Sequence, residues 1–185
     1  DLIINLQKFD NGKTPLNLFV FLPHKIKDKK ICAFLEEKNR NIETITKNEF
    51  KKYSDKKELK NLVKKFDFFV SQANLMANVA TVFGRFLGPA GKMPSPHLGI
   101  LTNVGDKEIE DVKEKINKSV RIRTKEACIK LSIGKQSMKD EEIVENIIVV
   151  YNAVWKALPK EKENIRDIEI KFTMTKPVKI RENEK

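Results

Sequence analysis

Apolar and polar residues alternate over Leu2 to Lys8 and again over Leu16 to Leu22, the period of half-buried strands. Asp10-Asn11-Gly12-Lys13 between them supplies turn residues, so the chain is predicted to open as an antiparallel hairpin. Pro23 ends the second run. Short apolar runs follow at Ile31 to Leu35, Ile42 to Ile45 and Phe66 to Ser71, with helical spacing over Lys47 to Lys65 and Asn74 to Phe86. Strands and helices taking turns predict a small α/β unit with a largely parallel sheet. Ile109, Val112 and Ile116 share one stripe of a further helix, Asp106 to Lys118, whose other face is charged.

After Arg123 the strand period returns, with Ala127, Ile129, Leu131 and Ile133 alternating with Cys128, Lys130, Ser132 and Gly134. Ser137, three residues before Asp140, predicts a capping-box start to a helix. The apolar side of that helix is Ile143, Ile147, Tyr151, Val154 and Leu158, with Trp155 as a core anchor, and Lys160 to Asn164 reads as an exposed loop. A last strand, Ile168 to Ile180, puts Ile168, Ile170, Phe172 and Met174 on one face and Lys171, Thr173 and Thr175 on the other. The two ends of the chain thus share a pattern that the middle lacks. The expected fold class is α/β: a split α+β first domain with an antiparallel sheet at 1–23 and 124–185, and a second domain inserted at 24–123. Two connections, near Pro23 to Ile26 and Arg121 to Lys125, would allow hinge motion.

Charge narrows the function. Among 185 residues, 37 Lys and Arg oppose 26 acids, a net +11, which suits a partner rich in phosphate, either nucleic acid or an anionic membrane surface. Residues 24–123 carry 22 cations against 13 anions and the remainder 15 against 13, so most of the excess is expected in the inserted part. No apolar run approaches the ~20 residues of a membrane span and no signal peptide is visible, which predicts a soluble chain that is not exported. Cys32 and Cys128 are too few for a disulfide framework and read as reduced core residues.

The stretch Phe83 to Pro96 holds three glycines, three prolines and two cations directly after an apolar segment. Gly allows positive φ and Pro restricts both itself and the residue before it, so the stretch predicts a shaped basic loop. An ordinary helix exit accounts for Gly88 and Pro89 but not for Gly91, Pro94 and Pro96. A nucleotide-binding P-loop would need Gly at Phe86 and Ser or Thr at Met93, and is rejected. His24 and His97 lie in Pro-containing loops, and neither HExxH, paired cysteine ligands nor a nucleophile elbow occurs. No enzymatic activity, cofactor or metal is therefore expected.

Four motifs together resemble the large-subunit ribosomal protein L-one family in its archaeal form: Leu22-Pro23-His24, the run Leu87 to Pro96, Gly134-Lys135-Gln136-Ser137-Met138, and Lys171 to Lys179. They stand in family order across nearly the whole chain, and the second is the most specific, with Gly88, Pro89, Gly91, Lys92 and Pro94 as its signature loop. The resemblance implies that the inserted domain is a Rossmann-like three-layer α/β domain. It also implies a cytoplasmic constituent of the large ribosomal subunit, monomeric when free and without membrane association. Such a protein binds large-subunit (23S-type) rRNA to form the mobile stalk near the tRNA exit site and assists release of deacylated tRNA. A further implied role is translational repression through a mimic of the rRNA site on its own mRNA. The family's Thr-Met-Gly contact element carries over to Thr173, Met174 and Thr175. Thr175 stands where the family has Gly, Ala90 where Arg is usual, and Pro177 where small residues are usual.

RNA recognition outside a duplex leans on shape, phosphate and the 2′-OH. Thr173 and Thr175 can exchange hydrogen bonds with ribose, while Lys171, Lys176 and Lys179 can meet phosphates. Pleat counting turns Met174 inward, in conflict with a contact role unless the strand ends or bulges there. Lys135, at a strand end before a helix N-terminus, is a further candidate phosphate ligand together with Ser137, and equally an exposed turn lysine. The competing function is a general basic nucleic-acid-binding protein outside the ribosome. It differs by salt-sensitive binding with little discrimination among folded RNAs.

Overall fold

The computed structural model describes residues 1–10, 12, 14–96, 98–101, 105–124 and 126–180. Asn11, Lys13, His97 and Lys125, used in the turn, loop and hinge expectations, lie outside the described residues. The strands in chain order are β1 (Leu2–Leu6), β2 (Asn17–Phe21), β3 (Ile31–Leu35), β4 (Glu43–Thr46), β5 (Phe68–Gln72), β6 (Ile100–Leu101), β7 (Ser119–Arg123), β8 (Cys128–Leu131), β9 (Ile165–Ile170) and β10 (Val178–Ile180). The α-helices are α1 (Lys56–Lys65), α2 (Met76–Ala90), α3 (Asp106–Lys118) and α4 (Asp140–Ala157). Parallel and antiparallel sheets coexist in this α/β chain, which divides into two compact units, 1–26 with 118–185 and 27–117. The sequence expectation assigned β7 to the insertion. It pairs instead with β2, Phe19 opposite Arg121 and Val20 opposite Val120, and so joins the split unit. With that boundary the charge divides evenly: residues 27–117 hold 18 cations and 13 anions, 18 − 13 = +5, and the rest 19 and 13, 19 − 13 = +6. The excess does not concentrate in the insertion.

In the split unit, a four-stranded antiparallel sheet has the order β10-β9-β1-β8, and β2 and β7 form a separate ribbon. The predicted opening hairpin is therefore absent: β1 pairs with β8 and β9, and β2 with β7. The turn signal is local and real, since Asp10 Oδ1 accepts the Gly12 N–H at 2.9 Å. It closes only an Asx-type turn within a longer connection. β1 buries alternate residues Leu2, Ile4 and Leu6 against Val150, Val154 and Leu158, with Val20, Leu22, Ile122, Ile129 and Ile133 completing the core. Each such side chain contributes about 1.5–3 kcal/mol by burial.

The expected loop at Lys160 to Asn164 is a 3₁₀ turn, Glu161–Asn164, ending in a fully buried residue. Asn164 Nδ2 donates to the carbonyls of Gln7 and Lys8 at 3.1 and 3.2 Å, and its Oδ1 accepts from Lys160 N–H at 2.8 Å. On α4 the buried stripe runs through Asn146, Val150 and Val154, rotated from the predicted one. Val144 and Ile148 are exposed, and Trp155 is partly exposed beside Tyr151 and Lys162 rather than anchoring the core. Val144 and Ile148, the aliphatic residues on the side of α4 that Trp155 shares, lie on its outer face.

The inserted unit has a parallel sheet of order β4-β3-β5-β6. β3 is buried on both faces, as a central parallel strand requires. One face packs Phe34, Phe50, Phe69 and Phe83 together, with the Phe34 and Phe83 ring centroids 4.8 Å apart. Burial pushes the Cys32 thiol up to about 12, with the Glu43 carboxylate adding to the effect. The helix predicted over Lys47 to Lys65 is broken at Asp55 into a 3₁₀ segment and α1.

The predicted loop from Phe83 begins later, because α2 continues through Gly88 and Pro89 to Ala90. Pro89 is exposed and one residue from the end, where a missing N–H leaves only a carbonyl that water can reach. Gly91, at φ 69°, then reverses the chain: its N–H bonds the Gly88 carbonyl and the Lys92 N–H the Leu87 carbonyl, both at 2.9 Å. Lys92 is no phosphate-facing cation, since its Nζ donates to the Val63 and Phe66 carbonyls at 2.6 and 2.7 Å, closing the C-terminal end of α1. Pro94 is buried beneath Gly99, where an added Cβ would meet Ser95 N at 2.8 Å. The signature loop is thus a structural joint of the insertion.

Candidate nucleic-acid interface

The continuous last strand expected over Ile168 to Ile180 is a hairpin. β9 stops at Ile170, the ladder's last backbone bond to the first strand runs from Lys171 N–H to the Asp1 carbonyl at 3.1 Å, and β10 returns alongside β9 from Val178. Between them Thr175 closes the loop. Its Oγ1 accepts the Phe172 N–H at 3.0 Å, and its own N–H donates to the Phe172 carbonyl at 3.2 Å. Pro177 favours extended backbone at Lys176 and so leads the chain into β10. Because the strand ends before Phe172, pleat counting no longer applies: Phe172 is 65% and Met174 94% exposed. The conflict over Met174 disappears, for the residue stands at the loop tip. Among the described residues only Lys8 and Glu161 are non-glycines with positive φ, so Thr175 occupies its position without left-handed strain.

Across from this hairpin, the segment after β8 turns into α4. Met138 N–H bonds the Lys135 carbonyl at 3.1 Å, and α4 packs so closely on Gly134 that a Cβ there would lie 2.9 Å from Ile143 Cγ1. Asn146, fully buried, fixes this junction. Its Nδ2 donates to the Ile133 carbonyl at 3.1 Å and the His24 carbonyl at 3.2 Å, while its Oδ1 accepts the His24 N–H at 3.1 Å. The His24 ring meets Glu145 Oε2 at 2.7 Å. Sequence reading missed Asn146, although an amide inside an apolar helical stripe is the signal that could have found it.

A groove of about 470 Å³ lies between hairpin and helix, lined by Lys135, Gln136, Lys171, Phe172, Thr175 and Lys176, with the acidic residues Asp1 and Asp140 also in its wall, around an apolar floor that includes Ile143, Ile170 and Val178. Four of the sequence-predicted site residues, Lys135, Lys171, Thr175 and Lys176, are therefore brought together from two distant segments. Thr173 and Met174 are exposed on the adjoining loop. Lys179 is not in the groove: it alternates with the groove-lining Val178 and Ile180, and its Nζ meets Asp167 Oδ2 at 3.3 Å on the other face. Asn5, Arg166 and Lys179 together hold the Asp167 carboxyl below its usual range, the Asn5 hydrogen bond most of all.

Ser137 neither lines the groove nor caps α4. The cap position is Lys139, whose N–H bonds Glu142 Oε2 at 3.3 Å. Asp140, Glu141 and Glu142 fill the first turn, so this helix end is already complemented by negative charge and offers no phosphate site of its own. The phosphate-seeking groups here are lysines. No group of three or more His, Cys, Asp or Glu among the described residues could hold a metal ion, and no described helix is long and apolar enough to cross a membrane.

Comparison with known proteins gives a consistent result. The family model described as Ribosomal protein L1p/L10e family matches residues 1–176. Large ribosomal subunit protein uL1 of Nanoarchaeum equitans is 34% identical, over 97% of this chain and 89% of its own. The uL1 proteins of Pyrobaculum islandicum and Pyrococcus horikoshii are 34% and 32% identical, over 96% and 97% of this chain and 82% and 85% of theirs.

Proposed function

The chain belongs to the ribosomal protein L1p/L10e family, and from that premise we propose that it binds large-subunit rRNA through the Lys171–Lys176 loop and the groove beside it. Its role is structural rather than enzymatic, as a component of the large subunit in the cytoplasm. The observation that carries the RNA reading is the meeting of Lys135 with Lys171, Thr175 and Lys176 around one groove, beside a fully presented Met174. Lysines at the rim suit phosphates, the loop hydroxyls suit ribose, and an exposed thioether and ring suit base faces. Lys179, paired with Asp167, takes no part in the groove contact.

On this reading the protein forms the mobile stalk near the tRNA exit site, contacts departing deacylated tRNA, and represses its own mRNA through a copy of the rRNA site. The two units, connected at 26/27 and 117/118, suit a component that moves. Sedimentation with large subunits, followed by footprinting on their rRNA, tests the proposal. One protected stalk region is expected, with protection lost in a Met174→Ala/Lys176→Gln double variant. Equal recovery of unrelated folded RNAs at physiological salt would overturn it.

A further inference from the structure

The inserted unit holds a cavity of about 500 Å³, bounded by β3, β4, α1 and the 3₁₀ segment Lys47–Ser54. That volume is in the range of small-molecule sites. Its floor is apolar and buried, made of Ile45, Leu62, Phe66 and the Cys32 thiol, which burial keeps uncharged at neutral pH. The half-buried Tyr53 ring forms part of the wall. Two charges at the rim cancel each other: Lys65 Nζ meets Glu43 Oε2 at 2.7 Å and stands 4.9 Å from the centroid of the Phe66 ring. The remaining polar groups are uncommitted. Lys52 and Glu58 are exposed and form no ion pair, with each other or with any other group among the described residues, and the Asn61 amide and Tyr53 hydroxyl have no hydrogen-bond partner there. One cavity is therefore lined by an apolar floor, one spare ammonium and one spare carboxylate.

We propose that this cavity is a binding site for a free aromatic α-amino acid. Its ring lies on the apolar floor beside Tyr53, its carboxylate meets Lys52 and its ammonium meets Glu58. Charge complementarity selects this occupant. A fatty acid has no cation for Glu58, and a nucleotide phosphate would face the carboxylates of Glu43 and Glu58 across the rim. A zwitterion with an apolar body uses both spare charges and the floor together. Burial first, and then Cys32, Glu49 and Glu58 against the opposing Lys65, raise the Tyr53 phenol pKa. The hydroxyl therefore stays a hydrogen-bond donor, and the field around it is the negative one that an ammonium requires. Affinity comes from the buried floor, while the exposed charges fix orientation. The cavity shares no residue with the groove around Lys135 and Lys176.

The test titrates the full chain with L-tryptophan while backbone amide resonances are followed by NMR. Saturable shifts at Ile45, Glu58 and Leu62 are expected, with a dissociation constant on the order of 1 mM or below and no shift at Lys135. Tryptamine, which lacks the carboxylate, and N-acetyltryptophan, which lacks the ammonium, should each bind about two- to fivefold more weakly, the range of an exposed ion pair. Lys52→Met should lower tryptophan affinity to that of tryptamine and leave tryptamine itself unaffected. Glu58→Gln should bear the same relation to N-acetyltryptophan. Both side chains are exposed, so both variants should keep the wild-type melting temperature. Absence of shifts in the cavity at about 10 mM tryptophan, shifts confined to the groove at Lys135, or equal affinity for all three compounds would overturn the proposal. So would tighter binding of adenosine or its monophosphate than of tryptophan, for the cavity would then be a nucleoside site.

Discussion

Replacing Asn146 by Ala should destabilise the split unit more than any surface change at the candidate groove. The side chain satisfies three backbone groups at once, the Ile133 carbonyl and both polar groups of His24. Ile133 is 1% exposed, so its carbonyl stays dry when the amide is removed, at a cost of about 1–3 kcal/mol. The His24 groups are part-buried and can recruit water, which limits each to about 0.5–1.5 kcal/mol. The sum is about 2–6 kcal/mol, or a fall in melting temperature of roughly 4–24 °C. Asn146→Leu refills the volume but leaves the same groups unpaired, so it should lose nearly as much. Differential scanning calorimetry gives the stability, and amide exchange at His24 reports the bond directly. A loss below about 1 kcal/mol in both variants, or unchanged His24 protection, would refute the clamp.

Thr175→Ala and Thr175→Gly should both weaken binding to a large-subunit rRNA fragment, by about 2- to 12-fold, because each removes the hydroxyl that closes the loop on Phe172, whereas Thr175→Ser should retain affinity. Tighter binding by the Gly variant would show instead that the Thr side chain obstructs the RNA. Lys92→Met should lower the stability of the inserted unit by roughly 2–3 kcal/mol through two lost charge-assisted bonds, and leave rRNA affinity and its salt slope unchanged in filter binding. A reduced slope would show that Lys92 touches phosphate. Burial, and then the charge of Lys27, lower the Lys29 pKa to about 8 from 10.5, with Asp67 opposing. Between those values the unfolded chain binds the extra proton, so this group's penalty against folding fades as pH rises from 8 to 10.5. Urea midpoints of wild type relative to Lys29→Met should therefore rise across that window, and a flat difference would contradict the shift.

The inserted unit was legible because its signals are local. Ile31 to Leu35 is a continuous apolar run, which a strand covered on both faces requires, and the Ile109/Val112/Ile116 stripe has the period of the helix it forms. The split unit was less legible because its pairings are not local. Nothing within Leu2–Leu6 specifies partners more than a hundred residues away, whereas Asp10 and Gly12 do specify a turn, so a nearby hairpin was the natural and mistaken choice. Apolar alternation continued through Phe172 and Met174 although the strand had ended, leaving Pro177 as the one visible sign of a loop. At the candidate site, residue types were readable but directions were not. Lys135 and Lys176 converge only through the packing of α4 on the sheet, Lys179 turns away by the pleat of β10, and Lys92 is taken up by the end of α1.

β1 lies between β8 and β9, so during synthesis it has no sheet partner until the chain has been made as far as Cys128, and only one until Ile165. At about 5–20 residues per second the wait for β9 is roughly 10–30 s, long enough for residues 27–117, contiguous in sequence, to reach their own fold first. Throughout that interval Leu2, Ile4 and Leu6 form an unpaired apolar edge, the kind of segment that nascent-chain chaperones cover and that crowded polysomes cross-link by mispairing. During synthesis the insertion therefore folds while β1 still waits for its partners, and the candidate groove, lined by Asp1 and by residues within 133–180, is complete only once β10 has been made.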